Sequence, residues 1–296
     1  MRPNLLLSAA LAGIALTLSA CGVLGPATPT LTPVPPTATP VPRAALVNGE
    51  PILLADYLAE VERFEDAHRD LGTDLATLAD YRGQILQGLI DQKLLAQAAR
   101  SSGLSVAESD IDARLDELAA EAGGNEALGA WLAANGYTLE GFRSAVAEEM
   151  LAQKMVEEIS GQVGDEADQV HARHILVSTR EQADDLRSQI AAGEGFAPLA
   201  RQFTLDLTTR PAGGDLGWFP RGVLLAPEVE EAAFALEPGE VSPVVESRFG
   251  FHLVETIERA VRPLSPDAAV RLRELAVEAW LAAQRDSAAI EMYVTP

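Results

Sequence analysis

The sequence predicts an α+β protein in which a helical domain, completed by a C-terminal helix, contains an inserted smaller domain built around a sheet. Three observations lead to this prediction. Apolar residues recur every three or four positions from Leu58 to Leu94, a spacing typical of amphipathic helices. Strand-like and helix-like segments alternate between residues 170 and 257, and a helical pattern returns from Ser265 to Ala288. With 296 residues, 48% of them apolar, the chain can bury two separate cores.

The helical domain is placed at residues 44–167 and is expected to be all-α after a short strand and turn at residues 47–50. Ser105 and Glu108 have the spacing of a capping box, which predicts that Ser105 caps the helix that follows. Residues 261–296 follow the sheet domain. Their helix has Pro266 in its first turn and an apolar face that is expected to pack on the N-terminal helices.

The sheet domain is placed at residues 168–260, where the elements follow the order β-α-α-β-α-β-β. Its first strand is expected at residues 170–177, and either Ser178 or Thr179 can cap the next helix, with Glu181 or Gln182 three residues further on. A strand over residues 251–257 closes the unit.

The charge balance argues against one class of partner. The chain has 22 Lys and Arg residues against 44 Asp and Glu residues, which gives a net charge of −22. Such a chain is repelled by phosphate backbones, so nucleic acid is a poor candidate partner.

The N-terminal residues have the layout of a secretory signal. Residues 1–20 begin with Arg2, continue through an apolar stretch too short to span a bilayer, and end in small residues. Cys21 is the single cysteine of the chain and follows Leu-Ser-Ala, a sequence that resembles a lipobox. Lipidation of Cys21 is therefore expected, against the alternatives of an uncleaved anchor or a chance cysteine. Residues 21–43, rich in proline and threonine, are expected to form an extended linker.

Six ordered segments between residues 170 and 259 resemble the parvulin (rotamase) domain, and the whole layout is similar to the PrsA and SurA class of secretion foldases. The segments are His174–Val177, Phe203–Asp206, Gly213–Phe219, Pro227–Phe234, Pro238–Ser242 and Phe249–Leu253. Residues 45–51 also look like the first strand of the N-terminal chaperone module of that class. The resemblance implies a peptidyl-prolyl cis/trans isomerase on a chaperone-like body, with four antiparallel strands flanked by helices.

The same resemblance implies the site. His174 and His252 match the paired histidines of the family, and Asp206 matches the acidic position that faces them. The implied proline pocket is formed by Leu216, by Leu224 or Leu225, and by Val229, with Ser247 and Phe249 near its rim. The family usually has Met and then Phe on this wall. Here Val229 takes the Phe position, and the loop before it is one residue longer.

The reaction needs no cofactor and no metal. Rotation about an X-Pro bond is opposed by amide resonance, a barrier of roughly 20 kcal/mol, but no bond breaks. An apolar pocket for the prolyl ring, with polar groups that turn the carbonyl, binds the twisted state best. We expect the two imidazoles and the carboxylate to shape this site without proton transfer to the substrate.

Several alternatives remain open on the sequence alone. Each histidine could be a structural ring with satisfied hydrogen bonds, and two His with one Asp could also form an iron site. A hydrolase lacks support, since no serine lies in a nucleophile elbow. At the level of the protein, the alternatives are a chaperone that binds polypeptide without catalysis and a solute-binding lipoprotein.

The expected partners are unfolded or nascent secreted polypeptides with X-Pro bonds, and a membrane reached through the lipid on Cys21. Arg180 is followed closely by Glu181, Asp184 and Asp185. A phosphate site needs a cluster of positive charge, and these acidic residues make the segment negative. Unphosphorylated substrates outside the cytoplasm are therefore expected.

Overall fold

The computed structural model describes residues 41–294. The predicted signal peptide, the lipidation site Cys21 and nearly all of the predicted linker lie outside these residues. The strands of the described part are β1 (Arg43–Val47), β2 (Glu50–Leu53), β3 (Glu166–Val177), β4 (Asp215–Pro220), β5 (Val245–Ser247), β6 (Gly250–Pro263) and β7 (Ile290–Met292). Its helices are α1 (Leu54–Asp70), α2 (Tyr81–Ser101), α3 (Glu108–Ala122), α4 (Asn125–Ala134), α5 (Leu139–Gly161), α6 (Arg180–Ala191), α7 (Phe196–Phe203), α8 (Pro227–Ala235) and α9 (Pro266–Ser287).

A small sheet opens the helical domain. The β1–β2 hairpin turns at Asn48 and Gly49, whose φ angles of 51° and 84° are the left-handed values that a two-residue hairpin turn requires. On its other side β1 pairs antiparallel with β7, so that Val47 faces Ile290. The prediction of an all-α domain therefore missed this three-stranded sheet, because its third strand lies more than 230 residues away along the chain.

The helical domain has its core between this sheet and the long helices. One cluster joins buried residues of β1, such as Val47, to Tyr57 of α1 and Leu86 and Ile90 of α2. A second cluster joins α2 to α5, and α9 packs against it through Val277, Trp280 and Leu281, among others. The C-terminal helix thus completes the core of the N-terminal domain.

The helix caps differ from prediction at one point. Thr179 Oγ1 accepts the amide of Gln182 at 3.2 Å, which confirms a hydroxyl cap on α6. The predicted cap at Ser105 is wrong. Helix α3 begins three residues later with Ala107 as its N-cap, and the carbonyl of Ser105 accepts a hydrogen bond from Lys154 Nζ at 2.8 Å instead. Glu108 and Asp110 place negative charge in the first turn, which stabilises this uncapped end.

The sheet domain is a four-stranded antiparallel sheet in the order β4-β3-β6-β5. Helix α8 covers one face, where Val229 and Phe234 pack with Val170 and Val254. Helices α6 and α7 cover the other face around Ile175 and Leu253, with neighbours such as Val177 and Leu186. The order of strands and helices is the predicted one.

Strands β3 and β6 form a long ribbon, paired from Glu166–Pro263 at one end to Val177–Phe251 at the other. The chain enters the sheet domain along β3 and leaves it along β6, and α9 follows directly. The sheet domain is therefore inserted between α5 and α9 of the helical domain.

Candidate active site

The two site histidines lie on the central strands of the sheet. Residues alternate between the faces of a strand, so His174 on β3 and His252 on β6 share the face covered further along by α8. Both rings are buried, and their Nδ1 atoms lie 3.3 Å apart. At this distance one ring donates a hydrogen bond to the other.

Asp206 reaches His174 from the loop after α7. Its Oδ2 lies 2.9 Å from His174 Nε2. The loop is tied to β3 on both sides of Leu176: the Leu205 amide donates to the Leu176 carbonyl at 2.7 Å, and the Leu176 amide donates to Thr204 Oγ1 at 3.0 Å. These bonds fix the carboxylate beside the imidazole.

Two threonines that the sequence analysis missed complete the carboxylate's surroundings. Oδ1 of Asp206 accepts the amide and the hydroxyl of Thr208, and Oδ2 accepts the hydroxyl of Thr209 at 2.7 Å. Burial alone raises the pKa of Asp206, but the bonds from Thr208, Thr209 and His174 outweigh it and hold this pKa well below its usual value. The pattern Asp-x-Thr-Thr in the sequence was the available clue, since short hydroxyl side chains bond a nearby carboxylate in such turns.

Ser247, predicted at the rim of the pocket, contacts the second histidine. Its Oγ lies 2.7 Å from His252 Nε2 and accepts the Phe249 amide at 3.0 Å. The hydroxyl is thus held in the tight turn between β5 and β6, and it serves as the outermost member of the polar group.

Two neutral rings satisfy these contacts in one proton arrangement. His174 Nε2 must carry its hydrogen to donate to Asp206, so His174 Nδ1 accepts from His252 Nδ1, and His252 Nε2 accepts from the Ser247 hydroxyl. Burial, reinforced by the neighbouring His174, lowers the pKa of His252 from 6.5 to about 4, which favours its neutral form. All four side chains then form one directed chain of hydrogen bonds.

A close backbone approach fixes the chain segment under His174. The His174 amide donates to the Gly214 carbonyl at 2.8 Å, and Gly214 has φ 84°. A methyl group added at Gly214 would lie 2.0 Å from the His174 carbonyl oxygen. Only glycine fits there, and this requirement explains the second glycine of the Gly213–Gly214 pair.

The predicted pocket residues fall into two groups. Leu216 and Leu224 are partly buried and pack against the same apolar cluster as Val229, which is almost fully buried at 2% exposure. Leu225 and Phe249 are exposed, at 76% and 47%. Arg248 links these two, since it donates to the Leu225 carbonyl at 3.3 Å and lies over the Phe249 ring. The structure thus brings His174, Asp206, His252 and Ser247 together, with Leu216 and Leu224 in a neighbouring apolar wall.

Two family descriptions match the chain. The PPIC-type PPIASE domain matches residues 171–258, and the SurA-like N-terminal domain matches residues 4–156. The foldase protein PrsA of Caldanaerobacter subterraneus subsp. tengcongensis is 31% identical over 240 residues, an alignment that covers 74% of this chain and 74% of that protein. This chain belongs to the PrsA foldase family. It is a peptidyl-prolyl cis/trans isomerase with a chaperone domain, as predicted, and the alternative without catalysis is not favoured.

Other proteins are also similar to this PrsA-family chain. The chaperone SurA of Nitrosospira multiformis is 39% identical over 142 residues, which are 42% of this chain and 32% of that protein. The crystal structure of the peptidylprolyl isomerase PrsA from Bacillus cereus is 21% identical, with coverage of 83% and 88% of the two chains and a TM-score of 0.47.

Proposed function

We propose that this PrsA-family protein isomerises X-Pro bonds in unfolded, unphosphorylated secreted polypeptides while tethered outside the cytoplasm by a lipid on Cys21. Its site comprises His174, Asp206 and His252. The directed hydrogen-bond chain from Ser247 to Asp206 is the observation that carries this proposal.

The chain of hydrogen bonds suits a reaction without bond cleavage. Because each imidazole nitrogen already has a partner within the group, the rings are fixed dipoles and not free acids or bases. Fixed dipoles need no reorganisation when the substrate carbonyl turns, so they favour the twisted amide over both planar forms. The site therefore lowers the rotation barrier without proton transfer to the substrate.

The prolyl ring is proposed to contact the apolar wall next to the histidines. Leu216 and Leu224 are partly buried and keep some exposed surface, whereas Leu225 and Phe249 project further into solvent. Val229 supports this wall from behind, because almost all of its surface is covered. The flanking residues of the substrate would lie against Leu225 and Phe249.

The surroundings of Arg180 support unphosphorylated substrates. Arg180 pairs with Glu246 at 3.1 Å and lies 5.2 Å over the ring of Phe251. A phosphate would have to compete with that carboxylate for the guanidinium group. Strong acceleration of phosphorylated peptides alone would contradict the proposed substrate class.

The membrane tether is proposed from the sequence at Cys21. Among the residues that the structure describes, none of the helices has the length and apolar character needed to cross a bilayer. A Cys21→Ser variant should leave the membrane fraction and lack the mass of the acyl chains, as fractionation and mass spectrometry would measure. Full retention in the membrane would contradict the lipid anchor.

The proposed site is tested with the double variant His174→Ala/His252→Ala. We expect the isomerisation rate of a proline tetrapeptide, measured in a protease-coupled assay, to fall by at least about tenfold, because the dipoles that turn the carbonyl are lost. His68→Ala, on α1 of the helical domain, is the matched control and should keep the wild-type rate. Aggregation suppression, measured in parallel, should survive both changes. An unchanged isomerisation rate in the double variant would refute the site.

A further inference from the structure

Glu230 on α8 is a buried carboxylate that the proposed mechanism does not use. Only 8% of the residue is exposed. Its two oxygens accept three successive backbone amides of the loop before α8: Oε1 accepts Gly222 at 2.7 Å, and Oε2 accepts Val223 at 3.1 Å and Leu224 at 3.2 Å. Three donors compensate a buried negative charge that would otherwise be strongly destabilising.

The loop that Glu230 holds carries part of the proposed prolyl wall. Leu224 packs against the apolar cluster under α8, next to Leu216. The N-cap of α8, Ala226, makes no side-chain hydrogen bond to the start of the helix. The hydrogen bonds that Glu230 accepts connect this loop to the helix.

The outer side of the same loop faces the helical domain. A methyl group added at Gly222 would lie 2.5 Å from Leu275 Cδ1 of α9. Gly222 also has φ 91°, a left-handed value that lets its amide turn inward toward the carboxylate. The loop is thus held between a buried anion on one side and a leucine of α9 on the other.

We propose that Glu230 is a positioning residue of the isomerase site: its carboxylate sets the place of Leu224 and so the width of the cleft for the prolyl ring. This inference rests on the proposed function, because it takes Leu224 as a substrate contact. Glu230 acts only through the loop. Its loss should therefore weaken ground-state and transition-state binding alike, which raises KM and leaves kcat nearly unchanged.

The test is a Glu230→Gln variant of the full chain. Glutamine offers one oxygen, so its amide group must face at least one of the three N–H donors and repel it. We expect KM for a proline tetrapeptide to rise by roughly tenfold, the low end for a lost apolar contact in a pocket. Hydrogen exchange at the amides of Gly222, Val223 and Leu224 should become faster at the same time.

Glu231→Gln is the matched control, because Glu231 is the exposed neighbour on the same helix and the substitution removes the same charge. It should leave KM and the three exchange rates unchanged. The proposal is overturned if Glu230→Gln exposes the three amides to exchange while KM stays at the wild-type value. A wild-type protein without any isomerisation would instead overturn the proposed function on which the inference rests.

A second variant keeps the inference testable if Glu230→Gln does not fold. Leu224→Ala removes the wall residue directly and should raise KM to a similar extent, again with kcat nearly unchanged. If both single variants fold, the two increases should not multiply in the double variant, because both act on one contact. An unchanged KM in Leu224→Ala, or fully multiplied increases in the double variant, would refute the positioning role.

Discussion

The pKa values of His252 and Asp206 are both lower than usual, for different physical reasons. Burial, reinforced by the neighbouring His174, lowers the pKa of His252 to about 4. Hydrogen bonds from Thr208, Thr209 and His174 lower the pKa of Asp206 despite its burial. At neutral pH the carboxylate of Asp206 is therefore ionised and the imidazole of His252 is neutral.

The lowered pKa of His252 predicts a loss of stability in mild acid. Between pH 6.5 and about 4 the unfolded chain binds a proton at His252 that the folded protein does not, so the free energy of unfolding falls as the pH falls through this window. Urea unfolding at pH 7, 6, 5 and 4.5 measures this fall. His252→Gln should flatten the part of the profile that this group causes, and an equally steep profile in that variant would contradict the assignment.

At the residue scale the sequence was informative about side chains that lie in motifs. His174, Asp206 and His252 were identified by resemblance, and the structure places them within hydrogen-bonding distance in series. The contacts of Thr209 and Ser247 were missed because each depends on how a loop folds back over the sheet. Local spacing carries little information about such tertiary contacts.

At the scale of elements, the backbone of Gly214, just before β4, lies directly against the backbone of His174 in β3. The carbonyl of Gly214 accepts the His174 amide, and the space for a side chain at Gly214 is taken by the His174 carbonyl. Gly217, within β4, has a similar φ of 70° but nothing within 4 Å of an added methyl group. A comparison of the two positions therefore distinguishes the cost of a left-handed backbone from the cost of a steric collision.

Substituting each glycine with alanine should give different losses of stability. Gly217→Ala adds only the strain of a left-handed alanine, about 1 kcal/mol. Gly214→Ala adds a collision with the His174 carbonyl to the same strain and should lose at least about 2 kcal/mol more. Urea unfolding measures both, and isomerisation should fall in Gly214→Ala alone. Equal losses in the two variants would mean that the close approach to His174 has no energetic weight.

Elements with strong local patterns were predicted well. The helices, the turn at Asn48–Gly49 and the order of elements along the inserted domain follow from periodicity, turn residues and resemblance. Strand β7 was missed because three residues have no measurable period, and its pairing with β1 is decided by tertiary packing. The start of α3 was misplaced: its N-cap is Ala107, and the Ser105 carbonyl accepts a hydrogen bond from Lys154.

At the scale of the whole molecule, the helical domain is assembled from both ends of the described chain. Helix α9 returns to α2 and α5, and β7 then pairs with β1. Asn48 connects the β1–β2 turn to the segment before β7. Its backbone N–H donates to the Ala289 carbonyl at 2.8 Å, and its side-chain Oδ1 accepts the Ala289 backbone N–H at 3.0 Å. The inserted domain depends on none of these contacts for its own core.

A truncation before Ile290 should therefore weaken one domain selectively. It removes β7 and several backbone hydrogen bonds at about 1 kcal/mol each, so the helical domain should lose roughly 2–4 kcal/mol of stability. Hydrogen exchange should accelerate in α1 and α2, while proline-peptide isomerisation persists. Truncation after Val294 is the control and should behave as the full chain. Equal protection of α1 and α2 in both truncated proteins would show that β7 is dispensable.

The pairing of β1 with β7 also bears on the order in which the molecule can form. Synthesis delivers a polypeptide from its N-terminus, and a local unit can fold once its last strand has emerged. The sheet of the inserted domain is complete at Pro263, whereas the helical domain still lacks α9 and β7 at that point. For that interval a complete sheet domain is attached to an incomplete helical domain, so the unfolded segments beside the isomerase site belong to the same molecule.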